Sequence, residues 1–273
     1  MNPRALIAIL LLSGLTYAGY DFWQQRKQDE EANRVVTPLS SALGKEVPLI
    51  TIERMHRDDP SGPTVLDYDT PKVKILSDHT AADRANAYIA RFVEDAVGRF
   101  SSELKRGTVT ASTSASMINT FTMNAKVLLT TPRIITIAFT ESTMLAQIPH
   151  PQKFVRYITF DLMHAKVIES KDLFIGTDTM TRIATQISKL ESAKALSPTQ
   201  INQSLLRDDQ HALNKNGLLI SVDTEEDPTT RTRTSVEFVL PFSSVNQYIN
   251  PDIRNAILTE QDNIRMAEPE TGS

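Results

Sequence analysis

The chain has 273 residues, 40% apolar and 23% charged, the usage of a folded, water-soluble protein large enough for one substantial core or two smaller ones. Its 29 basic residues meet 33 acidic ones for a net charge of -4, which provides no summed attraction to a phosphate backbone and sets nucleic acid aside as a partner. There is no cysteine, which excludes a disulfide framework, thiolate catalysis and Cys-ligated metal.

An apolar run from Ala5 to Gly19 follows Arg4 and precedes Trp23, Gln24, Gln25, Arg26 and Lys27, a pattern that predicts export. Two fates fit it. A core from Ala5 to Leu12 with the small-residue exit Thr16-Tyr17-Ala18 reads as a signal peptide cut before Gly19. A retained anchor would use the rings of Tyr20, Phe22 and Trp23 at the interface, but Asp21 interrupts it, and Ala5 to Tyr20 is short of the roughly 20 residues that span a bilayer. Residues 1–23 are therefore read as a signal peptide or signal anchor, and residues 24–46 as a polar linker. The expected location is extracytoplasmic, in the periplasm, soluble or anchored by this segment.

Beyond the linker, Val47 to Met55 predicts an edge strand, His56 to Gly62 a charged turn, and Lys72 to Leu76 a short strand after Asp69-Thr70-Pro71. A helix follows from Thr80 to Leu104: Ala85, Tyr88, Ile89, Phe92, Val93, Ala96, Val97, Phe100 and Leu104 form one apolar stripe. Thr80 suits its N-cap, with Asp83 in the first turn. The period then changes to two. Phe121, Met123, Ala125, Val127 and Leu129 alternate with polar neighbours, and after Thr131-Pro132-Arg133 the pattern resumes in Ile135, Ile137 and Phe139. This predicts an antiparallel pair with its polar face in water. Phe154 to Leu162 has apolar residues on both parities and predicts a strand buried on both faces, followed by a tight turn and a short strand to Ile168. Asp161 is placed to accept turn amides, and Leu173 and Phe174 to peg the next segment.

Two helices come next. Thr177 to Leu190 carries Met180, Ile183, Ala184, Ile187 and Leu190 on one side, with Thr177 or Thr179 as a cap; Ser197-Pro198 caps a second helix running from Thr199 to Leu213. Asn216-Gly217 marks a stop before the alternating strand Leu218, Ile220 and Val222. Asp223 to Thr234 is a polar connection, and Val236, Phe238 and Leu240 resume the sheet up to Pro241. Phe242 to Ile249 predicts a closing short helix, and residues 259–273 a flexible tail. The fold class is α+β: antiparallel sheets partly covered by helices, in two associated modules.

Several short segments carry a family resemblance. Pro149-His150-Pro151 stands where the family has a Gly-Ala-His-Pro-like turn, with Ile148-Pro149 in place of the small pair. Phe160-Asp161-Leu162 with Ala165-Lys166 stands for an Asp-Leu-x-x-Gly-Lys element, in which Ala165 replaces the turn glycine, and Asp172-Leu173-Phe174 for an Asp-Leu-Phe segment. Val239 to Val245 is similar to a closing Ile-Pro-Tyr-x-x-Leu-like strand and helix. From about Pro48 to Ile257 the chain thus resembles bacterial extracytoplasmic proteins that join a DUF4163-like module, here residues 47–146, to a DUF3298-like module, here residues 147–258. The same pair forms the outer region of the RsiV-type anti-sigma factors that sense lysozyme and the accessory module of peptidoglycan deacetylases. The resemblance implies a non-enzymatic recognition module of the cell envelope.

No catalytic or metal-binding constellation stands out, and no cofactor is implied. His150 and His164 lack close histidine partners, no phosphate-cradling glycine loop occurs, and Ser112 to Ser116 lacks the flanking glycines of a nucleophile elbow. An envelope hydrolase would need Asp161 with Asp172 or Asp223, all three at positions where turns independently favour aspartate. A structural scaffold is the remaining alternative. The expected partner is an envelope protein or a peptidoglycan-related glycan, met by the turns Gln147 to Gln152 and Asp223 to Thr234. These offer His150, Glu225, Glu226, Arg231 and Arg233, a two-signed set suited to orienting a partner.

Overall fold

The alternating stretches build two sheets. The computed structural model describes residues 46–59, 64–107, 118–145, 150–176, 178–194, 196–227, 229 and 232–258. The export segment, the linker up to residue 45, the Ser/Thr run of residues 108–116 and the C-terminal tail lie outside the described residues. Strands β1 (Leu49–Asp59), β2 (Thr64–Lys74), β3 (Asn119–Thr130), β4 (Ile134–Met144), β5 (Gln152–Asp161) and β6 (Lys166–Val167) form a six-stranded sheet in that order. A second sheet contains β7 (His211–Asn214), β8 (Gly217–Asp223) and β9 (Ser235–Pro241). Every pairing is antiparallel except β2 with β3, which run parallel and are connected across helix α1 (His79–Gly107). These helix-covered, mainly antiparallel sheets are the expected α+β class.

The N-terminal hairpin is longer than its hydrophobicity suggests. β1 continues to Asp59 where a charged turn was expected at His56, because an edge strand can leave its side chains in water while its backbone pairs. The guanidinium of Arg54 forks onto Asp67 of β2 at 2.8 and 2.6 Å, adding a cross-strand tie. Pro71 lies inside β2 instead of before it. β3 pairs with β2 only up to Tyr68, so Pro71 loses no ladder bond. At Val73, on the same parity, Asn86 of α1 takes the missing strand's place, accepting from the backbone N–H at 2.7 Å and donating to the carbonyl at 2.9 Å.

Helix α1 covers one face of the large sheet. Ala85, Ile89, Val93, Ala96 and Phe100 are buried against Phe121, Met123, Ile135, Ile137, Phe139, Ile158 and Phe160. Phe92 and Phe100 meet Phe139 and Phe121 at ring distances of 5.0 and 5.4 Å. Two details differ from the sequence reading. The amide of Ala81 is capped by Asp78 at 3.0 Å, not by Thr80, and Asp83 falls past the first turn because the helix starts at His79. Tyr88, placed in the stripe, is exposed at its margin.

The opposite face is covered from Ile134 to Ala138 on β4 and from Tyr157 to Asp161 on β5, where water was expected for β4, while Thr140 and Lys153 on the same face stay exposed. Ala138 and Tyr157 pack on Ala212 and Leu219 of the small sheet, and Ile134 joins that sheet's own core. The small hydroxyls of Thr136 and Thr159 satisfy each other at 3.4 Å, so a polar-looking parity can be covered without an orphaned group. β8 is likewise buried along both parities from Gly217 to Val222.

The second core brings together Ile183, Ile187, Ile201, Leu205, Leu218, Ile220, Val222, Val245 and Ile249. Its helices are α2 (Ser170–Leu173), α3 (Thr179–Ile187), α4 (Pro198–Leu206), α5 (Phe242–Val245) and α6 over residues 251–258. Ser197 caps α4 as expected, accepting from Gln200 N–H at 3.2 Å, with Pro198 opening the first turn. The residue at the N-cap of α3 is Asp178; Thr179 is helical and Thr177 lies outside the described residues. Leu190 falls beyond α3 and is exposed. Helix α4 stops at Leu206, and Ala212 and Leu213 belong to β7: the turn 207–210 returns the chain as a strand before the apolar period can continue. A module boundary drawn between residues 146 and 147 falls between β4 and β5, which are neighbours in one sheet.

Candidate functional site

The start of β5 and the β8–β9 connection, far apart in sequence, meet in space. Lys153 pairs with Thr234 in an isolated parallel bridge and its N–H donates to the Arg233 carbonyl at 3.1 Å, while Val155 N–H donates to Ser235 Oγ at 3.2 Å. The connection itself continues the β8–β9 ladder: Thr224 N–H donates to Thr234 O at 2.8 Å and Asp227 N–H to Thr232 O at 3.0 Å. Beside this junction a cleft of about 270 Å³ opens, walled by the second half of α1 (Arg99, Phe100), by Glu141 of β4, by Phe154 and Arg156 of β5, and by Arg207, Asp223 and Arg233.

Arg156 organises the cleft floor. It is buried, donates from Nη1 and Nη2 to the two carboxylate oxygens of Asp223 at 2.8 and 2.7 Å, and has Nε 3.5 Å from Asp209. Its guanidinium lies 5.1 Å from the Phe154 ring centroid, within cation–π range. Asp223 also accepts from Ser235 Oγ at 2.7 Å, and Arg207 forks onto Asp209 at 3.1 and 3.0 Å. Glu141 is only 6% exposed and takes one side-chain bond, from Arg99 Nη2 to Oε1 at 3.1 Å. Burial pushes its carboxyl above the ordinary glutamate value, and the charges of Arg99 and Arg156 offset this only in part. Arg233 stands exposed at the rim, with no carboxylate partner among the described residues.

Of the residues singled out from sequence, Arg233 lines the cleft. Glu225 and Glu226 are exposed on the connection and His150 is exposed ahead of β5; none of the three lines the cleft, and Arg231 lies outside the described residues. The acids considered for hydrolysis are tied into the frame. Asp161 receives Arg133 at 3.0 Å, His164 Nδ1 at 2.8 Å and the amides of Met163 and His164 at 3.0 and 3.3 Å. Burial raises its carboxyl, but the bonds from Arg133 and His164 bring it below the ordinary aspartate value. Asp172 is likewise held low, its desolvation outweighed by Lys166 at 2.8 Å and the Glu169 amide. Among the described residues no group of three or more His, Asp or Glu side chains could hold a metal.

Sequence reasoning missed Arg99, Glu141 and Arg156, although Glu141 and Arg156 carried a signal: a charge inside a strand otherwise suited to burial. It also missed a buried polar cluster at Ser170. Ser170 Oγ donates to Asp208 Oδ1 at 2.8 Å and lies 2.7 Å from His211 Nε2. With its one proton given to Asp208, the hydroxyl accepts from His211 Nε2–H, the reverse of an activated nucleophile. Burial pushes the His211 imidazole down to about 4, so this histidine is a neutral pin between α2 and β7.

No family model matches the sequence, and no curated protein matches it. Solved structures do. A member of the DUF3298 family from Bacteroides fragilis is 12% identical with a TM-score of 0.52, over 82% of this chain and 100% of that one. A DUF3298 family protein from Pseudomonas aeruginosa is 13% identical with a TM-score of 0.44, over 75% of this chain and 96% of that one. The Bacteroides structure establishes a shared fold; at such identity, site residues do not transfer.

Proposed function

We propose that this chain is a non-enzymatic recognition module of the cell envelope, binding a protein or a peptidoglycan-related glycan where β5 meets the β8–β9 connection. The observation that carries this is the junction of Lys153 and Val155 at the start of β5 with Arg233, Thr234 and Ser235 after the β8–β9 connection, beside a cleft with arginines and acids on its walls; Gln147 to Pro149 lie outside the described residues. The apolar run at Ala5 to Gly19 supports an extracytoplasmic, periplasmic setting, with that segment cleaved or kept as an anchor. In this reading residues 47–146 and 147–258 correspond to a DUF4163-like and a DUF3298-like module, as in RsiV-type anti-sigma factors and deacetylase accessory regions. The fold shared with a DUF3298 family structure over 82% of this chain supports the DUF3298-like part of the reading without dividing the chain into modules.

Affinity capture from intact envelopes tests the proposal. The full chain is expected to retain a saturable partner that a Glu225→Lys/Arg233→Glu variant loses. Unchanged capture by the folded variant rejects the location, and no partner at all rejects the module.

A second reading, an envelope hydrolase using acidic residues, draws on Glu141, which burial makes easier to protonate, in the same cleft as Asp223. Asp223 already bonds Arg156 through both oxygens and Ser235 through one, which leaves it poorly placed to activate water.

A further inference from the structure

We infer that the cleft takes a carboxylate carried on a compact amide-bearing body, with Arg233 closing on the carboxylate and Glu141 accepting the body's N–H. This deepens the recognition reading and rests on it. Most charges around the cleft are already spent. Arg156 gives both terminal nitrogens to Asp223, and Arg207 forks onto Asp209. Arg233 gives nothing to any carboxylate among the described residues and stands at the rim, free to meet one. A guanidinium presents a planar fork that matches a carboxylate oxygen for oxygen.

Glu141 supplies the second point. Its Oε1 takes Arg99, whereas its Oε2 receives no donor among the described residues, and the side chain lines the cleft. Oε2 is not among the fully buried unbonded polar atoms of the described residues, so it is open to a cleft water or to a ligand N–H that takes that water's place. The rings of Phe100 and Phe154 add apolar wall to the same cleft. With Asp209, which Arg156 and Arg207 share, the four arginines of the lining meet four acids, so it is Arg233, unpaired among the described residues, and not the summed charge that selects an anion. Size narrows the ligand further: about 270 Å³ lies just below the roughly 300–1,000 Å³ of pockets for drug-sized molecules. One sugar ring or one acylated amino acid matches this volume.

Two sources share this chemistry, an acidic amino sugar and a peptide C-terminus, and matched probes separate them. The full chain is titrated calorimetrically with N-acetylmuramic acid against N-acetylglucosamine, which lacks the carboxylate, and with N-acetylalanine against N-acetylalanine amide. In at least one arm the acid is expected to bind tenfold or more tightly than its neutral counterpart. Arg233→Gln is expected to remove that preference, Arg233→Lys to keep part of it, and the exposed-residue control Arg57→Gln to leave it intact. Phe154→Leu is expected to weaken acid and neutral probe alike. Equal binding of acid and neutral probe, no binding of either acid, or a preference that survives Arg233→Gln would overturn the inference. Envelope capture that persists while neither acid binds overturns this ligand chemistry and leaves the recognition reading standing. Binding of an acid with no envelope partner supports the ligand chemistry and removes the recognition reading.

Discussion

The two ends of β5 carry the same device, an arginine forked onto an aspartate, and put it to different uses. At the C-terminal end Asp161 accepts from Arg133, from the His164 ring and from two turn amides, while Arg133 also reaches the Asp252 carbonyl at 3.3 Å. Both carboxylate oxygens of Asp161 are engaged within the protein, and the pair works as a splice between the β3–β4 turn, the β5–β6 turn and α6. At the N-terminal end the Arg156–Asp223 pair forms the wall of a cleft, next to an arginine and a carboxylate oxygen that have bonds left to make. Whether a charged pair is structural or functional therefore depends on its neighbours' unmet bonds more than on its own geometry.

Three measurements would break or sharpen that contrast. The largest effect should come from the satisfied side, at His211. Its folded value near 4 lies below the ordinary 6.5, so as pH falls through this window the unfolded chain takes up a proton that the native imidazole refuses. Stability is then lost from pH 6.5 down to 4, by roughly 3 kcal/mol at about 1.4 kcal/mol per pH unit. Urea titrations across this window should show a steeper loss for the wild type than for His211→Gln; parallel curves would mean that His211 is not held neutral.

A smaller effect is expected at the cleft. Arg156→Ala should cost about 2 kcal/mol, below the 3–5 kcal/mol of a fully buried broken pair because water still reaches Asp223, whose side chain is 26% exposed. Equilibrium denaturation measures it, and a loss indistinguishable from zero would make the pair dispensable to the fold.

The smallest effect is a gain at the other end of β5. Ala165 has φ of 49° in the β5–β6 turn, a left-handed conformation that costs a residue with a Cβ roughly 1–2 kcal/mol. Ala165→Gly should raise stability by about 1 kcal/mol, after the added freedom of glycine in the unfolded chain, with binding at the cleft unchanged. Altered binding would couple ends of the strand that the structure keeps separate.

Local signals in the sequence found most of the frame. The α1 stripe, the alternation of β3, the double-sided β5, the Ser197-Pro198 start and the Asn216-Gly217 stop before β8 all follow from spacing within a few residues, whereas β7, which Asn216-Gly217 joins to β8 as a hairpin, reads in sequence as the end of a helix. The failures are non-local. Nothing near Thr136 or Ala138 announces that a second sheet will cover them, and nothing in the charged outer half of β1 announces that β2 will pair with it. The cleft was legible only at Arg233. Its other charged members come from α1, β4, β5, the turn after α4 and the end of β8, and ion pairs between such distant segments leave no pattern in sequence order.

The parallel pairing of β2 with β3 has a consequence for how the chain is assembled. Hairpins β1–β2, β3–β4, β5–β6 and β7–β8–β9 join neighbours in sequence, whereas Thr64 must wait for Asn119 across the whole of α1. During synthesis from the N-terminus, β1, β2 and α1 exist for a time with no third strand, so the stripe from Ala85 to Phe100 has too little sheet to cover and the β2 edge stays open. That interval is when a chaperone or a protease would most readily find this protein.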